Sequence, residues 1–189
     1  AVLVHFHAFP LVVGRSREKA RDLAKTLNEF QYDTKLYLVP FADVQRRIIL
    51  EVPGPLRVVA YRRFMVRIAE LIARNEGAKA HLTGESLGQV GSQTLQNITT
   101  VGDVATMPVL RPLIGLDKQE IIEQAQAIGT YQTSILQDED CCTLFVPRSP
   151  STAVKPWEIE RYESQLNVRD LIEEAARSAE VSEYHYLDV

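Results

Sequence analysis

The turn at 83–86, Thr-Gly-Glu-Ser, carries the clearest pattern for binding chemistry in this chain. It follows an apolar run that ends at His81-Leu82, and a helical pattern begins near Ser92. A strand, a glycine turn and a helix N-terminus together point backbone N–H groups at an anion. Gly84 suits that geometry because glycine lets the backbone approach a ligand closely. The same pattern also fits an ordinary strand–turn–helix connection, so composition alone leaves both interpretations open.

Cys141 and Cys142, the two cysteines of the sequence, are the candidate nucleophiles. Adjacent cysteines rarely bridge each other, because the peptide between them would be strained, and their spacing does not suit zinc. The acidic run at 138–140 should raise both thiol pKa values, which disfavours a simple thiolate nucleophile. A persulfide is more acidic and avoids this objection. From the residues alone, it is also open that neither thiol takes part in catalysis.

A histidine pair and an arginine pair complete the candidates. His5 and His7 share one face of a strand, since strand side chains alternate. Two histidines do not make a metal site, so a strand end that holds an adenine or a ribose is favoured over a metal. Arg62 and Arg63 diverge on a helix, and such a pair is typical of solvated arginines beside a core stripe. An arginine fork also suits phosphate.

The elements that position these residues alternate between strands and helices. Such alternation predicts an α/β fold with a parallel sheet and helices on both faces. Ligands of such sheets bind at the carboxyl ends of the strands, where the candidates lie. The predicted strands are 2–6, 35–39 and 78–82, with an extended piece at 109–114. The predicted helices are 16–28, 41–50, 58–76, about 92–100, 118–128, 157–166 and 168–179, and 130–146 is expected to be irregular or extended.

Several boundaries follow from punctuating residues. Ser16 is expected to cap the first helix, Gly77 to end the long third one, and the D-x-x-E pattern at 117–120 to form a capping box. Prolines at 147, 150 and 156 mark a linker. We therefore expect a nucleotide-binding domain at 1–150, and a helical tail at 151–189 that packs on it.

Composition limits the function classes. The net charge of −4 argues against this chain as the main grip on nucleic acid, because proteins that bind by phosphate neutralisation are usually basic. No apolar run reaches the length of a membrane span, and no signal peptide is visible, so no membrane partner is expected. Two cysteines fit a cytoplasmic, reducing compartment.

Five segments together resemble one enzyme family, the ATP-dependent tRNA 4-thiouridine synthetases, which are also called tRNA sulfurtransferases or thiamine-biosynthesis sulfur-transfer proteins. The segments are VHFHAFP at 4–10, YRRFMVRIAE at 61–70, TGESLGQVGSQTLQN at 83–97, LRPLIGLDKQEIIEQAQAIGTY at 110–131 and EDCCTLFVPRSP at 139–150. The resemblance implies a Rossmann-like sheet of the adenine nucleotide α-hydrolase type.

The resemblance also implies roles for single residues. ATP, with Mg²⁺, would be bound by His5, Phe6, Arg62, Gly84 and Gln93. Arg62 is preferred to its neighbour on the alignment of the arginine pair.

For the cysteines, the resemblance implies that Cys142, with Cys141 as the alternate, carries sulfur as a persulfide. A uridine O4 of tRNA would be adenylated and then replaced by sulfur. A cysteine desulfurase would supply that sulfur, and a homodimer and a role in thiamine thiazole synthesis are further implications.

The chain departs from the family pattern, most decisively at the pyrophosphate-binding loop. The pyrophosphate-binding sequence SGG-x-DS is not among its residues, nor are the family's RNA-binding region and a rhodanese domain. We therefore expect a fragment that lacks the first strand and its PP-loop and is inactive alone. Two alternatives are another adenylating enzyme of the ATP-pyrophosphatase superfamily and a non-catalytic nucleotide-binding module.

Overall fold

A computed structural model describes residues 1–9, 14–137 and 149–186. Strands and helices alternate along most of the chain. The strands are β1 (Val2–His7), β2 (Asp33–Pro40), β3 (His81–Leu82), β4 (Val109–Leu110) and β5 (Glu180–His185). The helices are α1 (Ser16–Asn28), α2 (Ala42–Glu51), α3 (Arg57–Asn75), α4 (Leu95–Gly102), α5 (Lys118–Ala127), α6 (Tyr131–Ser134), α7 (Pro156–Glu163) and α8 (Val168–Arg177), with short 3₁₀ turns at Gly54–Leu56 and Gly91–Gln93.

The strands form two sheets. In the first, β1 pairs with β2 in parallel and β5 pairs with β2 antiparallel. In the second, β3 and β4 pair in parallel over two residues each. The α/β class is confirmed, but the expectation of a wholly parallel sheet is wrong at β5. The sequence does not predict this strand, because its residues are exposed or half-buried and include no apolar run.

Helices cover both faces of the first sheet, as predicted. On one face α1 packs Ala20 and Ala24 against Leu36 and Leu38 of β2. On the other face lies the main core, which is centred on α3. The α3 residues at its heart are fully buried at helical spacing: Ala60, Tyr61, Phe64, Ile68 and Ile72. Burial of such a stripe supplies most of a helix's stability in a protein.

The helix ends follow the sequence in part. The capping box at Asp117 and Glu120 is confirmed, with both reciprocal hydrogen bonds present. Gly77 does end α3, with a φ of +70° that favours glycine. The prediction that Ser16 caps α1 is wrong, because the cap position is Arg15, which makes no side-chain cap bond. The irregular stretch predicted after residue 130 contains a short helix, α6.

Residues 151–186 pack on the same core. Ile159 of α7 and Ala175 of α8 are buried in the cluster around α3, and β5 extends the first sheet. Glu163 of α7 binds Arg63 and Arg67 of α3, with Nε of Arg63 at 2.9 Å and Nη2 of Arg67 at 2.7 Å. Among the described helices, none is long and apolar enough to cross a membrane.

Candidate functional site

A cleft of about 280 Å³ opens between the two sheets. Within the described part of the chain, β1 pairs only with β2, and β3 pairs only with β4, so each has an open edge. Apolar side chains form the walls and floor: Val2, Val4 and Phe6 from β1, and Met65, Val66, Ala69 and Ala73 from α3. An apolar cleft with a few polar groups is the usual form of a small-molecule site.

Three charged side chains line the cleft near the carboxyl ends of β3 and β4. Glu85 lies in the turn after β3, Arg111 directly follows β4, and Arg62 comes from α3. Nη2 of Arg62 donates to Oε1 of Glu85, and Nε of Arg111 donates to Oε2 at 2.5 Å. The hydroxyl of Thr83 donates to the same Oε2 at 3.0 Å. One buried carboxylate therefore holds two guanidinium groups beside the cleft.

The glycine turn is held on both sides of Gly84, since before it the backbone N–H of Thr83 donates to the Leu110 carbonyl at 3.0 Å. The hydroxyl of Ser86 donates to the Leu116 carbonyl at 2.8 Å, and Nη1 of Arg62 donates to the Ser92 carbonyl at 2.6 Å. A Cβ built on Gly84 would meet no atom within 4 Å, so the space beside this glycine is open. The turn thus offers exposed backbone at the point where a ligand can approach.

Gln93 lies one residue beyond the carbonyl that Arg62 binds. Phe6 and Arg62 line the cleft, Gly84 lies between two residues that line it, and Gln93 is connected to it through the Arg62–Ser92 hydrogen bond beside it. The prediction of a helix from Ser92 needs correction, because Gly91–Gln93 form a 3₁₀ turn and α4 begins only at Leu95. Thr94 caps α4 by accepting a hydrogen bond from the backbone N–H of Asn97 at 3.2 Å.

The two histidines lie on the other face of β1. Val4 and Phe6 line the cleft, whereas Leu3 packs with β2 and α1 on the opposite face. By strand alternation the side chains of His5 and His7 share the face of Leu3. His5 is therefore not among the residues that line the cleft. Burial, followed by the charge of Arg17, lowers the pKa of His7 to about 4, so its ring is neutral at pH 7.

The adjacent arginines have different environments. Arg62 lines the cleft. Arg63 is fully buried, where it binds Glu163 and donates from Nη1 to the Thr100 carbonyl at 2.7 Å. The interpretation of two solvated arginines is therefore wrong, because a distant helix supplies the carboxylate that permits burial.

Sequence reasoning missed Glu85 and Arg111 as site residues. Both residues follow the carboxyl ends of short strands, and that position could have identified them as site residues. Cys141 and Cys142, with the acidic run before them, lie outside the described residues. Across 1–9, 14–137 and 149–186, no group of three or more His, Cys, Asp or Glu side chains is placed to hold a metal ion.

Comparison with known proteins identifies a family and several relatives. The family model described as "Thiamine biosynthesis protein (ThiI)" matches residues 1–168. A probable tRNA sulfurtransferase of Thermus thermophilus is 56% identical over 183 residues, which is 97% of this chain and 45% of that protein. One of Brevibacillus brevis is 43% identical over 180 residues, or 95% of this chain and 45% of that protein. The chain thus spans about half the length of the curated relatives it matches.

A solved structure is also similar. It is the crystal structure of a 4-thiouridine synthetase–RNA complex with bound ATP, with a TM-score of 0.91 and 40% sequence identity. The match covers 96% of this chain and 48% of that one. This likeness confirms the Rossmann-like fold that the sequence analysis expected.

Proposed function

Because this chain belongs to the thiamine biosynthesis protein (ThiI) family, we propose that it forms the nucleotide-binding part of an ATP-dependent tRNA sulfurtransferase that makes 4-thiouridine. The observation that carries the proposal is the cleft itself. Its apolar walls end at an open glycine turn and at two oriented arginines, all at the carboxyl ends of parallel strands. That is the place and the composition expected of a nucleotide site in an α/β fold.

ATP fits the residues present. The Phe6 ring and the apolar walls suit an adenine base, while Arg62 supplies charged donors for phosphate oxygens. The open space at Gly84 admits close approach of the ligand to the backbone. We assign ATP contacts to Phe6, Arg62, Gly84, Gln93 and the backbone of His5, and Mg²⁺ is proposed to accompany the triphosphate.

The chemistry needs activation because O4 of uridine is a poor leaving group. Attack of O4 on the α-phosphate of ATP forms an O–P bond and releases pyrophosphate. The terminal sulfur of a persulfide on Cys142, or on Cys141, then attacks C4, and AMP leaves with the former O4. A further thiol reduces the remaining S–S bond, which leaves 4-thiouridine and a disulfide. Preorganised donors such as Arg62 stabilise the charge on the reacting phosphate.

Other parts of such an enzyme must supply what these residues lack. The pyrophosphate-binding sequence SGG-x-DS is absent from the 189 residues. The facing open edges of β1 and β3 are where a strand that carries it would pair, since an unpaired edge is a template for strand addition. With a net charge of −4 this chain needs a more basic region to grip tRNA. We therefore expect the isolated chain to be inactive.

The proposed partners are tRNA and a cysteine desulfurase that delivers sulfur. Supply of sulfur for the thiazole of thiamine is a second proposed role, which the family's description supports.

The experiment uses the complete gene product, purified, with unmodified tRNA transcript. We expect tRNA-dependent release of pyrophosphate from ATP, and 4-thiouridine in digested tRNA once a persulfide donor is added. ATP binding without either product would favour a non-catalytic nucleotide-binding module. Pyrophosphate release with a different acceptor would favour another adenylating enzyme of the superfamily.

A further inference from the structure

The carboxylate of Glu85 is shared by two arginines, although one cation is enough to neutralise it. Glu85 is 5% exposed, and the side chains of Arg62 and Arg111 are 17% and 21% exposed. The cluster therefore carries a surplus positive charge that is largely removed from water. Such a charge is costly unless an anion joins it.

We propose that Arg111 is a second phosphate-binding arginine of the cleft and that Glu85 is the residue that positions it. This inference rests on the proposed nucleotide-binding function. It adds a specific source of selectivity, because the surplus positive charge binds a ligand with phosphate more tightly than one without.

The hydrogen bonds of Arg111 show which donors remain for a ligand. Its Nε is engaged by Glu85, and its Nη1 lies 3.5 Å from the Val109 carbonyl, which is too long for a strong bond. Its Nη2 has no hydrogen-bond partner among the residues that the structure describes. A Cβ built on Gly102 would lie 3.2 Å from this Nη2, so the glycine leaves room for the guanidinium to sit where it does.

Glu85 fixes this orientation from two directions. Its Oε1 is held through Arg62, which is anchored in turn on the Ser92 carbonyl, and its Oε2 also accepts from Thr83. Because the carboxylate is held in this way, it fixes Nε of Arg111. The Nη2 group of Arg111 then remains available to a ligand in the cleft. Preorganised donors of this kind lower the cost of ordering on binding.

The test compares binding of ATP and of adenosine by calorimetry, using the complete gene product. In Arg111→Ala we expect ATP affinity to fall about tenfold or more, the usual effect of losing a charged hydrogen bond, while adenosine affinity stays within about twofold. Arg74→Ala is the matched control, because Arg74 also pairs with a buried glutamate, Glu70, yet does not line the cleft. It should change neither affinity.

Glu85→Gln separates positioning from simple charge. Removal of the carboxylate makes the cleft more positive, so Coulomb attraction alone predicts tighter ATP binding. Positioning predicts weaker ATP binding by about threefold or more, with little change for adenosine, and partial recovery in Glu85→Asp. If Arg111→Ala does not fold, Arg111→Lys takes its place, because lysine keeps the charge but loses the fork.

An equal change for ATP and adenosine in the Arg111 variants, or tighter ATP binding in Glu85→Gln, would overturn the proposal and leave the proposed function standing. Failure of the wild-type protein to bind ATP would overturn both.

Discussion

Replacement of Glu163 by glutamine should cost this fold more than any other single change of one carboxylate to an amide on α7. Glu163 is 4% exposed and accepts four hydrogen bonds of 2.7–3.0 Å, two from Arg63 and two from Arg67. An amide offers one acceptor oxygen and turns two N–H groups toward the remaining guanidinium donors. The change therefore leaves the buried charge of Arg63 without its main partner.

The magnitude follows from what Arg63 and Arg67 retain. Removing one partner of a buried ion pair costs about 3–5 kcal/mol. We expect the lower end, about 3 kcal/mol, because Arg63 keeps the Thr100 carbonyl and the partly exposed Arg67 can turn to water. For a domain of this size that loss lowers the melting temperature by roughly 6–12 °C.

Thermal unfolding followed by circular dichroism measures the effect, with Glu160→Gln as the matched control. Glu160 lies on the same helix and only 3.7 Å from Nη2 of Arg63, but it is exposed, so its loss should cost about 0.5 kcal/mol or less. If Glu163→Gln melts together with Glu160→Gln, the buried ion pair does not hold α7 on α3 and the reasoning is wrong.

The same network predicts a pH dependence. Burial raises the pKa of Glu163, but the hydrogen bonds from Arg67 and Arg63 outweigh burial and hold it below its usual range. A carboxyl whose folded pKa is lowered contributes stability above its unfolded pKa and loses it as pH falls through the folded value. The difference between wild type and Glu163→Gln should therefore be full at pH 7 and shrink below about pH 4.

Three further substitutions test stability and ligand approach. Burial raises the pKa of Glu70, but hydrogen bonds led by those from Thr106 bring it down to about 2. Glu70→Gln should therefore lower the free energy of unfolding by about 1–2 kcal/mol at pH 7 in denaturant titration, and this difference should disappear as pH falls from about 4 towards 2. An equal cost at pH 2 and pH 7 would contradict the role given to Glu70. Gly84→Ala should leave the melting temperature unchanged, because its Cβ meets no atom, yet weaken ATP binding about tenfold by filling the approach to the backbone. Gly77→Ala should do the reverse, with a loss of about 1 kcal/mol at its positive φ and no effect on ATP; exchange of these two outcomes would refute the placement of the ligand.

Periodic patterns made much of the fold predictable. The apolar stripe of α3, the capping box of α5 and the C-terminal glycine of α3 are local signals, and each predicts its element correctly. β5 is not local in this sense. Its residues form a strand because they pair with β2, some 150 positions earlier in the chain. Their own sequence is too polar to predict a strand.

The site was predictable only where one segment carries the information. Gly84 and Arg62 stand in recognisable segments; Arg62 lines the cleft, and Gly84 lies between two residues that line it, Thr83 and Glu85. The cluster at Glu85 joins residues from three separate segments, so no single window of sequence shows it. The burial of Arg63 likewise depends on a carboxylate one hundred residues away.

We propose that this chain is the nucleotide-binding part of an enzyme that places sulfur in tRNA. The most direct test of this proposal is to express the complete gene product in cells that lack their own 4-thiouridine synthetase and to measure 4-thiouridine in their isolated tRNA. We expect the wild-type gene to restore the modified base and Cys142→Ser not to restore it, with Cys141→Ser as the paired variant. Soluble wild-type protein that leaves the tRNA without 4-thiouridine would contradict it.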